Sequence, residues 1–272
     1  MKMKEKKSLL IILLSIAFLL TCETNPLSGE TTLALMSDKE LFAMSDQQYR
    51  EFLSENKVIT GTDDARMVER LGKKIREAAE KWYASQGDSN ALKNYQWEYN
   101  LVDDKQVNAW CMPGGKIVVY TGILPVTQNE DALATVMGHE VAHALLNHGK
   151  QRVSASYLQQ LGGALGATLL GLAFGASQQT QELFLLAYGV GTNLGVMLPY
   201  SRGHESEADK YGLYLMAIAG YNPEESVPFW ERMKALGGRT PEFLSTHPSP
   251  DNRINDLRKL IPEAKAKAAE LK

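Results

Sequence analysis

His139, Glu140 and His143 fall within five residues, His139-Glu140-Val141-Ala142-His143. Four residues turn a helix by about 400°, so the two imidazoles lie on one face about one turn apart and can share a metal ion. Glu140 lies beside His139 on the same side, within reach of a water on that metal. Ala134, Met137, Val141 and Leu145 recur on the opposite face and give the helix a side to bury. Two imidazoles and a carboxylate in this register predict metal-assisted hydrolysis. The plainer alternative is a surface helix with two unrelated histidines.

A catalytic zinc takes three protein ligands and keeps a fourth position for water. A third histidine six residues beyond His143 would complete one common pattern, but Gly149 stands there. His148, five residues on, is turned about 140° from His143 on a continuous helix and is not expected to bind. The candidate third ligand is Glu205, in Ser201-Arg202-Gly203-His204-Glu205-Ser206-Glu207-Ala208-Asp209. Asp209 lies one turn on, placed to accept a hydrogen bond from the far nitrogen of a ligand histidine, which orients the ring and raises its basicity. Taken alone, such a Glu and Asp pair reads more simply as surface charge. Glu207 is expected to face solvent, and Arg202 to pair with a carboxylate. His247, between Thr246 and Pro248, sits in a stiff loop that suits a positioned catalytic side chain stabilising an oxyanion. The alternative is a loop histidine capping a helix.

Together, His139 to His143 followed by Ser201-Arg202-x-x-Glu205-x-Glu207-Ala208-Asp209 resemble the zinc metallopeptidase family that contains the CAAX prenyl endopeptidases, HtpX and Oma1. The resemblance is nearest to its bacterial periplasmic lipoprotein branch, which resembles the peptidase part of the β-barrel assembly-enhancing protease. Asn108-Ala109-Trp110 through Pro113-Gly114-Gly115 and Thr246-His247-Pro248 match as well. The resemblance covers residues from about 25 to 260. It implies a gluzincin fold: mainly helical (α+β), with an active-site helix and a small sheet whose edge strand binds extended peptide. It implies one zinc per chain on His139, His143 and Glu205, with Glu140 as general base. It also implies that His247 can take the fourth zinc position and hold the enzyme latent. The edge strand is expected near Asn108 to Met112, where main-chain pairing gives affinity with little sequence demand. Asn108 reads equally as a backbone cap beside a turn. The implied function is an endopeptidase that degrades misfolded or stalled outer-membrane or periplasmic proteins, with the outer-membrane barrel assembly machinery as a possible partner. The alternative is a lipid-anchored chaperone or assembly factor with little proteolysis.

Several elements must position these residues. Ser37-Asp38-Lys39-Glu40 and Ser45-Asp46-Gln47-Gln48 both read as capping boxes, each opening a short helix. Val68, Leu71, Ile75, Ala78, Ala79 and Trp82 give a longer helix after Thr60-Gly61-Thr62-Asp63. Tyr95, Trp97, Tyr99 and Leu101 alternate with polar residues, and Val107–Met112 and Lys116–Thr121 flank a Pro113-Gly114-Gly115 turn. These runs predict a small antiparallel sheet. Asn129-Glu130-Asp131 opens the histidine-bearing helix, with acids where the helix dipole favours them, and Gly149 ends it. Residues 37–272 are expected to form a single domain with a Leu-, Gly- and Ala-rich helical insert at about 154–198; its composition suits either membrane entry or covering the cleft, and the resemblance implies the cleft-covering segment. Only this one long apolar run follows the leader, which argues against the polytopic branch of the family and against prenyl-protein processing.

Residues 1–21 read as a lipoprotein signal peptide: Lys2, Lys4, Lys6 and Lys7, then an apolar run from Leu9 to Leu20 that is short for a membrane span. Leu19-Leu20-Thr21-Cys22 resembles a lipobox, with Thr21 where Gly, Ala or Ser is usual. Cys22 is therefore the candidate lipidation site, the alternative being an ordinary signal peptide. Residues 22–36 read as an extended tether. Glu23 after Cys22 favours the outer membrane, so the chain is expected on the periplasmic side of the cell envelope. Cys111, the other of two cysteines, is left unpaired and buried. The net charge of −3, with both signs interspersed, excludes a nucleic-acid grip.

Overall fold

The computed structural model describes residues 22–161, 200–236, 241–247 and 252–271. The leader 1–21 and most of the expected insert at 154–198 lie outside these residues. Cys22–Thr24 (β1) and Thr31–Leu33 (β2) pair antiparallel. The expected tether is thus a folded hairpin. Asn25-Pro26 and Ser28-Gly29, breakers that mark a linker, here make the turn: Leu27 N–H donates to Asn25 Oδ1 at 2.9 Å, and Leu27 itself is buried.

Asp38–Glu55 (α1) is one helix rather than two. The Ser37/Glu40 capping box forms as expected, but Ser45 is buried in mid-helix, on the stripe of Leu41, Tyr49 and Phe52. That continuous apolar stripe overrides the second capping signal. Val58–Ile59 (β3) follows, then Asp63–Ser85 (α2), capped by Thr62 and burying every apolar residue expected of it.

Glu98–Val102 (β4), Ala109–Met112 (β5) and Lys116–Tyr120 (β6) join β3 in a sheet of order β3-β4-β6-β5. The sheet is mixed, not antiparallel: β4 and β6 run parallel, while β5–β6 and β3–β4 are antiparallel. The chain crosses from β4 to the far edge, lays down β5, and returns through Gly114 and Gly115, both at positive φ. A tight turn fixes β5 and β6 as a hairpin, so β6 must meet β4 in the parallel sense. Helices cover both faces, so β5 and β6 are buried at every position. Trp110, Met112, Val118 and Tyr120 pack toward α1, while Ala109, Cys111, Ile117 and Val119 join the larger core.

After a helical turn at Leu124–Thr127 (α3), Glu130–Leu145 (α4) runs through that larger core. Its Asn129 cap accepts from Ala132 N–H at 2.8 Å. It ends at Leu145 rather than Gly149, because Asn147 takes a left-handed conformation (φ 59°) and His148–Leu161 (α5) starts afresh. Arg202–Ile218 (α6), capped by Ser201, packs along α4. Ser226–Ala235 (α7), Glu242–Thr246 (α8) and Arg253–Glu270 (α9) close the body. No described helix is long and apolar enough to cross a membrane.

Candidate metal centre

Every residue of α4 from Ala132 to Leu145 is buried, including His139, Glu140 and His143. The helix is therefore not amphipathic as expected. It is an interior helix, with α6 along one side and β5 along another. At its crossing with α6, Gly138 faces Gly212. A Cβ on Gly212 would stand 2.8 Å from His139 N. This close approach brings Glu205 and Asp209 of α6 onto the histidines.

His139 Nε2 and His143 Nε2 are 3.1 Å apart. Glu205 Oε1 lies 3.3 Å from His143 Nε2, and its Oε2 lies 3.5 Å from His139 Nε2. His247 adds a fourth donor, its Nδ1 3.3 Å from His139 Nε2 and 3.0 Å from Glu205 Oε1. Zinc–nitrogen bonds of about 2.0–2.1 Å in a tetrahedron set donor atoms about 3.3–3.4 Å apart. The separations of 3.0–3.5 Å bracket that edge, and all four buried donors lie within 4.8 Å of one another, so the cluster fits one zinc ion.

Asp209 Oδ1 lies 3.0 Å from His139 Nδ1, in the orienting position expected of it. Burial pushes the His139 ring down, but its bonds to Asp209 and Glu205 outweigh this and raise it to about 9. Burial also works against the Glu205 carboxylate, yet the surrounding histidines hold it far below the usual range. Glu140 goes the other way: burial raises it, against the opposing pull of His247 and His139. Its Oε1 is buried without a hydrogen-bond partner, 3.5 Å from His247 Nε2. An orphaned carboxylate oxygen beside a metal cluster is where a water would be held.

His247 follows α8 directly, and its N–H donates to Phe243 O at 2.9 Å. Its ring stacks on Phe243 with centroids 4.6 Å apart. Phe243 N–H donates in turn to Val107 O, tying this histidine to the start of β5. Asn108 is buried there. Its Oδ1 accepts from Ala109 N–H at 2.9 Å and its carbonyl from Tyr120 N–H, which is the backbone-cap alternative. Among the described strands, β5 lies at the edge of its sheet.

The site also holds residues that sequence reasoning missed. Arg253, near the start of α9, donates from Nη1 to Glu205 at 3.0 Å and from Nη2 to Asp209 at 2.5 Å. Its guanidinium lies 3.5 Å from the centroid of the Trp230 ring. Arg202, expected to pair with a carboxylate, is exposed. Tyr200 stacks on His143 at 3.8 Å. His148 and Glu207, set aside as off-face and solvated, form a bonded pair at 3.2 Å behind His143.

Two buried imidazoles and a carboxylate, with a further carboxylate unsatisfied beside them, define the site of a metal-dependent hydrolase. The sequence pattern described as Peptidase family M48 matches residues 69–261. The chain is 36% identical over 181 residues to the mitochondrial metalloendopeptidase OMA1 of Schizosaccharomyces pombe, covering 65% of this chain and 50% of that protein. It is 31% identical over 262 residues to the mitochondrial metalloendopeptidase OMA1 of Homo sapiens, covering 93% and 48%. It is 27% identical over 250 residues to the β-barrel assembly-enhancing protease of Escherichia coli, covering 89% and 48%. The chain belongs to peptidase family M48 and carries a buried His139/His143/Glu205 cluster that fits one zinc ion. It spans about half the length of these curated relatives. Identity is higher to the OMA1 proteins than to the assembly-enhancing protease, which corrects the expectation of a nearest likeness to the periplasmic branch.

Proposed function

We propose that this chain is a zinc-dependent endopeptidase of the bacterial cell envelope, lipid-anchored at Cys22 on the periplasmic side, most simply at the outer membrane. The observation that carries the hydrolytic reading is the orphaned Glu140 oxygen beside the His139/His143/Glu205 donor set. The printed names of the relatives, all metalloendopeptidases or proteases, support it. Bound zinc would polarise the scissile carbonyl and lower the pKa of water. Glu140, its pKa raised by burial, takes the proton of the attacking water and passes it to the leaving amine. Asp209 holds the His139 ring in place. The β5 edge, near Asn108, pairs with extended polypeptide, so substrates are unfolded segments. Misfolded or stalled outer-membrane and periplasmic proteins are the proposed class, with the barrel assembly machinery as a partner; the basis for both is the sequence resemblance and the Cys22 motif.

His247 fills the fourth donor position, which a catalytic site keeps for water. His247 therefore holds the enzyme latent and must withdraw for turnover. Zinc content and casein cleavage of the purified chain test both claims. Glu140→Gln keeps zinc and loses cleavage by at least about 100-fold, and His247→Ala cleaves faster than wild type. Normal cleavage by the Gln variant would sink the mechanism, and slower cleavage by His247→Ala would make His247 a catalytic group. If Glu140→Gln captures envelope proteins that wild type leaves intact, the chaperone alternative replaces the protease.

A further inference from the structure

We propose that His148 and Glu207 are positioning residues for the ligand His143, forming a relay from imidazole to imidazole to carboxylate. The inference rests on the zinc reading of the cluster.

A metal-binding histidine almost always gives its other ring N–H to an acceptor, which fixes the tautomer and the ring plane. His139 has Asp209 for this purpose. His143 turns Nε2 toward His139 and Glu205, so Nδ1 faces outward. The atom that meets it is Nδ1 of His148, at 2.9 Å. Only one of these two nitrogens can carry the proton. If His148 held it, His143 would be left with its proton on Nε2, among the metal donors, and could not bind. The proton therefore sits on His143 Nδ1, and His148 accepts. His148 must then carry its own proton on Nε2, where Glu207 Oε2 waits at 3.2 Å. Each donor in the chain meets an acceptor.

The surroundings are built to hold His148 in this role. It is fully buried. Its ring stacks on His204 with centroids 4.3 Å apart and planes 17° apart, and His204 Nε2 lies 3.1 Å from Gln151 Oε1. On a continuous helix His148 would point well away from His143. The left-handed Asn147 breaks the helix and turns the ring back. Glu205 and Glu207 are two apart on α6, about 200° round the helix. One helix thus serves the metal with the first carboxylate and the relay with the second.

Zinc affinity of the purified full chain, measured by competition with a chelator, tests the relay. His148→Ala is expected to weaken zinc binding by about 10–100-fold. His148→Asn keeps an oxygen acceptor in place of Nδ1 and recovers most of that loss. Glu207→Gln weakens binding by less than His148→Ala, and adds nothing in the His148→Asn background, where the link to it is already cut. Circular dichroism confirms folding, and the surface-reaching Glu207→Gln keeps the test valid if His148→Ala fails to fold. Wild-type affinity in both Glu207→Gln and a folded His148→Ala overturns the relay. Equal loss in the Ala and Asn variants, or an undiminished Glu207→Gln effect in the Asn background, does so too. A wild-type chain that takes up no zinc overturns the metal reading itself, and the relay with it.

Discussion

Arg253 holds the carboxylate side of the centre together. Glu205 and Asp209 are buried a turn apart on α6, and one guanidinium bonds both while stacking on Trp230. A planar fork holds its donors in a fixed geometry between two carboxylates, whereas an ammonium is a point charge that does not fix their relative orientation. Arg253→Met removes the guanidinium shared by two buried carboxylates, leaving them only their histidine partners, and is expected to destabilise the fold by up to about 3–5 kcal/mol in urea unfolding. Arg253→Lys restores charge but not geometry, so it recovers part of the stability. Full recovery by Lys would show that the fork is not needed. His139 and His143 were legible in the sequence because they repeat at one helical turn; Glu205 and Asp209 share that spacing but were legible only through the resemblance to the family, since the pair alone reads as surface charge. Arg253 was not, because nothing local ties a residue on the last helix to a site built from α4 and α6. His148 is no metal ligand, as the spacing implied, but its place behind His143 was hidden because left-handed Asn147 breaks the helix; Glu207, expected to face solvent, turns to His148 instead.

The elements meet at their thinnest point. Gly138 and Gly212 let α4 and α6 approach until backbone touches backbone, and that approach sets the distance from the histidines to Glu205. A methyl group at residue 212 would lie under 3.0 Å from His139 N and Cα, and backbone cannot rotate out of the way. Gly212→Ala is expected to destabilise by about 1–3 kcal/mol and to lower zinc affinity by parting the ligands. Unchanged affinity would show that the crossing has slack. Helix starts were readable from caps: Ser37, Thr62, Asn129 and Ser201 all cap as their types imply. Sheet topology was less so, because alternation marks strands but carries no information on which neighbour each one pairs with.

At the scale of the molecule, the N-terminal hairpin belongs to the body. Asn25 Nδ2 donates to Leu145 O at 2.7 Å, at the end of the helix that carries both histidines. Lys150, buried at the start of α5, pairs with Glu23 at 2.5 Å and Asp38 at 2.8 Å, so one ammonium joins β1, α1 and α5. Burial pulls its pKa down, but the bonds to Asp38 and Glu23 outweigh this and raise it. A lysine raised on folding stabilises fully below its unfolded value, about 10.4, and the gain is lost as pH rises through the folded value. The stability difference between wild type and Lys150→Met should therefore be constant from neutral pH to about pH 10 and shrink above it, read by urea titration at each pH. A difference that persists into stronger alkali would remove the ion pair as its cause. The hairpin also bears on the proposed anchor. Cys22 opens β1, and Asn25, already fastened to the active-site helix, is three residues on, a span of about 10 Å at most. An enzyme held at Cys22 has no leash. With the proposed anchor in place, its cleft would work at one set height above the bilayer, and the bilayer would become a ruler that selects substrates by where their unfolded segments emerge.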